Sequence, residues 1–248
     1  MEHGSLLKSY LIGQLTTAKK QLTLIGPEGD TEALHRFRVS LRRFRSVLGT
    51  YTHHLYAPEA VVKSMVKGTN PLRETDVFLA SVPPAEFPGL HQALTTYRNR
   101  LYKKLWKTDT AGRFAHAIDA LIRDLSRLGL DHSDKKLIRK GKHLYGDAKK
   151  AHHKLTKDSA EEKIHETRLR YKQARYVLEF LDESGLADET VKIRKIKKVL
   201  DHFGAIQDAA NQLEWLRRFC QKHPSDECAT LLSQRQAALA SLKEAFEF

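Results

Sequence analysis

Apolar residues recur at three- and four-residue intervals along nearly the whole chain, and no stretch alternates apolar with polar at a period of two. That pattern suits helices laid against a core and leaves no material for a sheet. Leu6, Leu7, Tyr10, Leu11 and Leu15 form the first run, within residues 5–25, and Gly26-Pro27-Glu28-Gly29-Asp30 ends it. Asp30 is a good N-cap for a helix over 31–51. Pro58 opens a short helix to about Lys67, and Gly68-Thr69-Asn70-Pro71 starts another that stops before Ser81-Val82-Pro83-Pro84. Leu90, Leu94, Tyr97, Leu101 and Leu105 seed a long helix to Trp106, followed by one from about Gly112 to Leu128. Beyond Asp131-His132-Ser133-Asp134 lies a lysine-flanked seam of Leu137, Leu144, Ala148, Ala151 and Leu155. Lys157-Asp158-Ser159 separates it from a helix over 160–183 that Gly185 stops. Helices over about 187–202, 205–221 and 226–246 follow, divided by Gly204 and by Pro224-Ser225-Asp226. The fold class expected is all-α, with antiparallel neighbours joined by short turns.

A chain of 248 residues can bury a sizeable core without a staple. Cys220 and Cys228 match no zinc or thioredoxin spacing, so they are expected to be reduced in an intracellular protein. The first thirty residues lack the pattern of a secretory signal. No apolar run approaches the ~18 residues of a spanning helix. A soluble, cytoplasmic protein with no membrane partner is expected. Forty-three Lys and Arg against 30 Asp and Glu give a formal charge of +13, which favours a polyanionic partner if the charge is concentrated rather than scattered.

It is concentrated. His35-Arg36-Phe37-Arg38-Val39-Ser40-Leu41-Arg42-Arg43-Phe44-Arg45 holds five arginines and a histidine without an acid. At about 100° per residue, Leu34, Phe37, Leu41, Phe44 and Leu48 take one side of a helix, while His35, Arg38, Arg42 and Arg45 share an arc of roughly 80° beside it. Glu32 is the one acid in that helix, so pairing at i,i+4 cannot answer the charge. The pattern recurs as His165-x-x-Arg168-Leu169-x-x-Lys172-x-x-Arg175, with Ile164, Thr167, Tyr171, Ala174 and Leu178 on the apolar side. Downstream, Asn70-Pro71-Leu72-Arg73-Glu74 corresponds to Gly204-Ala205-Ile206-Gln207-Asp208. The chain thus reads as one domain over 1–248, made of a repeat at about 5–128 and another at about 133–248.

These residues resemble the CHAD family, the conserved histidine α-helical domain. The likeness rests on His-x-x-Arg-[Val/Leu]-x-x-[Arg/Lys]-x-x-Arg at His35 to Arg45 and His165 to Arg175. Arg73-Glu74-x-Asp76-Val77 is similar to the family's Arg-Asp-x-Asp-Val turn, and Leu200-x-x-Phe203-Gly204-x-x-Gln207-Asp208 to its second-half counterpart. The likeness spans nearly the whole chain. It implies two pseudo-symmetric helical-bundle halves around a central basic channel, binding of inorganic polyphosphate, and no catalysis. Three positions depart from the pattern: Glu74 stands for the usual Asp, Asn70 for the usual Gly, and Ala210 for the second Asp of the turn.

Polyphosphate is a flexible chain of charges with no base to read, so a receptor needs spaced cations and little else. Arginine suits it because its planar fork can hold two phosphate oxygens, where lysine acts as a point charge. Positions i, i+3, i+7 and i+10 make a row of ~15 Å at 1.5 Å per residue. The expected binding residues are His35, Arg38, Arg42, Arg45 and Arg73 in the first half and His165, Arg168, Lys172 and Arg175 in the second. Lys63 and Lys197, at matching places, extend the wall unless they are simply solvated. The histidines would bind better when protonated, near their unperturbed pKa of ~6.5, although a lone helical histidine often only packs or caps.

Bland roles fit the remaining candidates. Arg36 and Arg43 point to another arc and rank second, and Arg98 is weaker still. Glu74, Asp76 and Asp208 orient arginines or cap helices. Lys192, Arg194, Lys195 and Lys198 mostly face water around Ile193, Ile196 and Leu200. His53-His54 and His152-His153 lack the i,i+4 spacing of a zinc site and read as surface, and Trp106 and Trp215 read as core anchors. Neither a metal nor a cofactor is expected, since no acid cluster for Mg²⁺, glycine-rich phosphate loop or activated nucleophile occurs at useful spacing. A role as an RNA- or single-stranded-DNA-binding protein is the alternative, but Phe37 and Phe44, which would have to stack on bases, fall on the apolar face. A scaffold for an acidic protein is a further possibility. Cytoplasmic location at polyphosphate granules would follow from polyphosphate binding.

Overall fold

The periodic segments form ten helices and no strand among the described residues. They are α1 Leu6–Leu22, α2 Thr31–Tyr51, α3 Tyr56–Gly68, α4 Asn70–Ala80, α5 Pro88–Lys107, α6 Thr110–Arg127, α7 Asp134–His152, α8 Glu161–Glu183, α9 Thr190–Lys222 and α10 Asp226–Glu244. The computed structural model describes residues 6–26, 31–52, 55–107, 109–130, 132–156 and 159–244. The expected cap at Asp30, the pair His53-His54 and the side chain of Trp106 lie outside the described residues.

The apolar face predicted for α2 is the buried one: Leu34, Phe37, Leu41 and Phe44 are fully buried and Leu48 nearly so. Full burial of one such side chain contributes roughly 1.5–3 kcal/mol. α2 lies against α1, α3, α4 and α8, and α8 lies against α2, α7 and α9. The two cationic helices are therefore direct neighbours. Arg43 strengthens their contact from another arc of α2, with Nη2 3.1 Å from Glu179 and Nη1 3.1 Å from Glu183 on α8.

Two apolar cores form, and neither is confined to one half of the chain. The larger gathers α1, α2, α3, α6, α7, α8 and the first part of α9, with Leu72 of α4 and Tyr102 and Leu105 of α5. The smaller joins Phe78 of α4 and Leu90 and Leu94 of α5 to Leu216 and Phe219 of α9 and Leu231 of α10. Trp215 packs at the edge of this second core, its ring 4.8 Å from Phe78 and 5.4 Å from Phe219.

Three expectations need correction. Gly204 does not divide two helices: α9 runs 33 residues straight through it. Glycine lowers helix propensity by only about 1 kcal/mol, and Ala205 behind it, unlike a proline, keeps its backbone N–H. Cys220 and Cys228 are joined in a disulfide rather than reduced, because the turn between α9 and α10 folds the two ends together. His152 is half-buried, not a surface residue; its Nδ1 lies 3.0 Å from the Tyr171 hydroxyl and its ring packs on Phe203. No helix of the described residues is long and apolar enough to cross a membrane.

Candidate functional site

Arg38 is 4% exposed, and its guanidinium is taken up by the fold. Nη1 donates to the Val66 carbonyl at 2.6 Å and to Thr69 Oγ1 at 2.7 Å, and Nη2 donates to Asn70 Oδ1 at 2.7 Å. The cause lies one residue on. α3 ends at Gly68 and α4 starts at Asn70 with Pro71 in its first turn, so the helical ladder breaks at Thr69 and the Val66 carbonyl, among the last of α3, is open to Arg38. Asn70, where the family pattern has glycine, supplies the third oxygen. Burial, then Arg42 and Arg73, push the Arg38 pKa down to about 10, which keeps it charged at neutral pH.

Arg168 holds the same motif position in α8 and is held otherwise. Nη2 pairs with Asp208 Oδ1 at 3.0 Å, and its Nε is buried without a hydrogen-bond partner among the described residues. The Arg175 guanidinium lies over the Tyr176 ring at 4.7 Å, and its Nε, 3.5 Å from Glu179 Oε1, also lacks a hydrogen-bond partner there. Two donors on the α8 row are thus left without protein acceptors, a costly arrangement in a dry interior.

Arg42, Arg45 and Lys172 meet. With Gly49, Gln173 and Tyr176 they surround a cavity of about 470 Å³ between α2 and α8, with Glu59 the one acid in its lining. Burial first, then Arg168 and Arg42, lower the Lys172 pKa to about 8, against a smaller opposing pull from Asp208. Cations are therefore held together here in the absence of enough counter-charge. Arg42 also belongs to a second cavity of about 540 Å³, where α2 faces α4 and α9. Arg38, Arg42, Arg73 and Arg218 there face three acids, Glu74, Asp208 and Glu214, so the larger cationic excess sits on the α2–α8 side.

The other predicted residues are dispersed. His35 is half-buried near Arg73, Arg42 and Arg38, and burial followed by the Arg73 charge lowers its pKa below the usual 6.5. His165 is exposed at the start of α8, and Lys63 is exposed on α3. Lys197 lines a cleft with Glu179, Asp182 and Glu183, on the acidic side of the α2–α8 contact. Asp76 orients Arg98 instead of a row arginine, accepting from Arg98 Nε at 2.6 Å and from the Tyr102 hydroxyl at 2.7 Å.

Beyond Asp208, sequence reasoning missed the α9 side of the second cavity. Asp208, Asn211, Gln212, Trp215 and Arg218 stand at i, i+3, i+4, i+7 and i+10, the spacing of one helix face, and all five line it. The signal was present in the chain. Reading Trp215 only as a core anchor concealed it.

A family model described as the CHAD domain matches residues 10–217. The chain belongs to the CHAD domain family. Its fold is shared with the crystal structure of the CHAD domain from the plant Ricinus communis, at 19% identity and a TM-score of 0.73, over 97% of this chain and 87% of that one. PptA from Streptomyces chartreusis is similar at 18% identity and a TM-score of 0.69, over 97% of this chain and 94% of PptA. No curated protein matches the sequence. For a CHAD chain the departure at Asn70 has a physical meaning: the side chain that replaces glycine fastens the first-half arginine to the fold.

Proposed function

We propose that this CHAD protein binds inorganic polyphosphate without turning it over, with α2 and α8 as facing walls of a basic channel. The observation that carries the proposal is the α2–α8 cavity, where Arg42, Arg45 and Lys172 face one another with Glu59 as the one acid. A chain of phosphates supplies the missing counter-charge to these three cations. Arg42 belongs to both cavities, so a flexible polyanion can pass from one to the other where a compact anion fills a single one. Nucleic acid fits less well, because Phe37 and Phe44 are fully buried and offer no ring for a base to stack on. Binding of this kind would carry the protein to polyphosphate granules.

The test measures polyphosphate affinity for wild type, Arg42→Ala, Lys172→Ala and the double variant. Each single change is expected to weaken binding about tenfold, the order of one charge-assisted contact. If neither matters, the site is elsewhere. Long-chain polyphosphate should displace RNA at fixed salt far more readily than RNA displaces it. Release of free phosphate with Mg²⁺, abolished by changes at Asp76 or Asp208, would overturn the absence of catalysis.

A further inference from the structure

α7 carries a row of cations that the motif does not include. At about 100° per residue, Lys136, Arg139, Lys140 and His143 fall within an arc of about 100°. With Thr50 and Tyr51 at the end of α2 they surround a cavity of about 360 Å³ that has no acid in its lining. His143 pairs with Asp147 at 2.8 Å, whereas Lys136, Arg139 and Lys140 make no ion pair among the described residues. The cluster is held in place: the Tyr51 hydroxyl donates to the Leu137 carbonyl at 2.9 Å and fastens α7 to α2.

Its position matters more than its charge. Gln173 and Ser46 line the α2–α8 cavity, and Thr50 lines the α7 cavity. Gln173 Nε2 donates to Thr50 Oγ1 at 3.2 Å, and Thr50 Oγ1 donates to the Ser46 carbonyl at 2.7 Å. The two concavities are thus divided by a single hydrogen-bonded polar step. From Lys136 to His143 the α7 row adds ~10 Å at 1.5 Å per residue.

We propose that the α7 cluster is a second polyanion subsite, reached over the Thr50–Gln173 step, which lets the protein select long polyphosphate chains over short ones. The proposal rests on polyphosphate binding between α2 and α8. A short chain saturates that cavity alone, and a long one continues onto α7 and adds contacts there.

The triple variant Lys136→Ala, Arg139→Ala, Lys140→Ala and the single Lys140→Glu separate these contributions, with long-chain polyphosphate and tripolyphosphate as probes. The triple change should weaken long-chain binding about tenfold and flatten the logarithmic salt dependence by about two to three units. Lys140→Glu should act in the same direction. Tripolyphosphate affinity should stay within about twofold, as expected for separated sites. Unchanged long-chain affinity overturns the proposal, and so does an equal loss for both probes. Arg42→Ala, measured in parallel, keeps the two claims apart: if it is inert while the α7 variants weaken binding, the α2–α8 reading fails and α7 is a primary site, which overturns its role as an extension.

Discussion

Arg38 and Arg168 occupy the same position of a sequence motif that occurs twice, yet they are employed differently. In the first half, the helix path breaks at Thr69, with Pro71 in the turn that follows, and Arg38 closes the break with three hydrogen bonds to uncharged oxygens. In the second half, Ala205 stands where Pro71 does, α9 continues, and no freed carbonyl awaits the arginine. Arg168 turns instead to Asp208, a carboxylate 62% exposed, and leaves its Nε unpartnered. The break between α3 and α4 converts a potential ligand contact into a structural clamp. A motif arginine is thus specified by the backbone opposite it as much as by its own spacing.

The sharpest way to break this contrast is to move the proline. Ala205→Pro should interrupt α9 and cost about 3 kcal/mol or more, seen as lost helicity and a lower denaturation midpoint. An unaffected midpoint would mean that α9 does not depend on continuity there. Next is Arg38→Ala, which leaves the Val66 carbonyl and Asn70 Oδ1 without their buried donor and should cost about 2–3 kcal/mol, against about 1 kcal/mol or less for Arg168→Ala. Equal losses in chemical denaturation would erase the distinction between the two arginines.

Lys172 tests the cationic excess. Its proton is held to about pH 8 in the folded protein but to 10.5 ordinarily, so the cost of the buried charge is full below about pH 8 and fades as pH rises toward 10.5. Lys172→Met should therefore raise the stability of the ligand-free protein at pH 7 by about 1 kcal/mol after solvent screening, with the gain vanishing near pH 10. The same titration predicts that polyphosphate affinity falls as pH rises from about 7 to 9 and that Lys172→Arg removes the fall. A flat wild-type profile would take Lys172 out of the site. His35, with its pKa lowered, contributes a change only on the acid side of 6.5. The smallest effect expected is Gly204→Ala: an added methyl meets Arg168 and Asp208 at an ordinary 3.6 Å, and stability should rise by about 0.5–1 kcal/mol.

Much of this organisation is legible in the chain. The α2 boundaries at Thr31 and Tyr51 coincide with the periodic run, because Gly26 to Asp30 punctuate it and five apolar residues fix the buried face. The arc analysis also separates Arg43, which pairs with Glu179 and Glu183, from Arg42 and Arg45, which face Lys172. What the arc cannot supply is the partner across the gap. Arg38 and Arg42 lie on the same stripe, and only the break at Thr69 distinguishes their fates. Gly204 misleads for the opposite reason: it resembles a stop, but no proline or cap beside it enforces one. The pairing of Cys220 with Cys228 depends on a turn between two helices, which periodicity does not describe.

The unbroken α9 has a consequence for how the molecule comes apart. At 1.5 Å per residue its 33 residues span ~50 Å, and they supply Ile196 and Leu200 to one core and Leu216 and Phe219 to the other. Neither core can melt without stripping one end of a shared rod. The two halves of the chain are therefore not autonomous folding units; calorimetry should record a single cooperative transition, and a chain severed between α6 and α7 should recover structure only when both pieces are present.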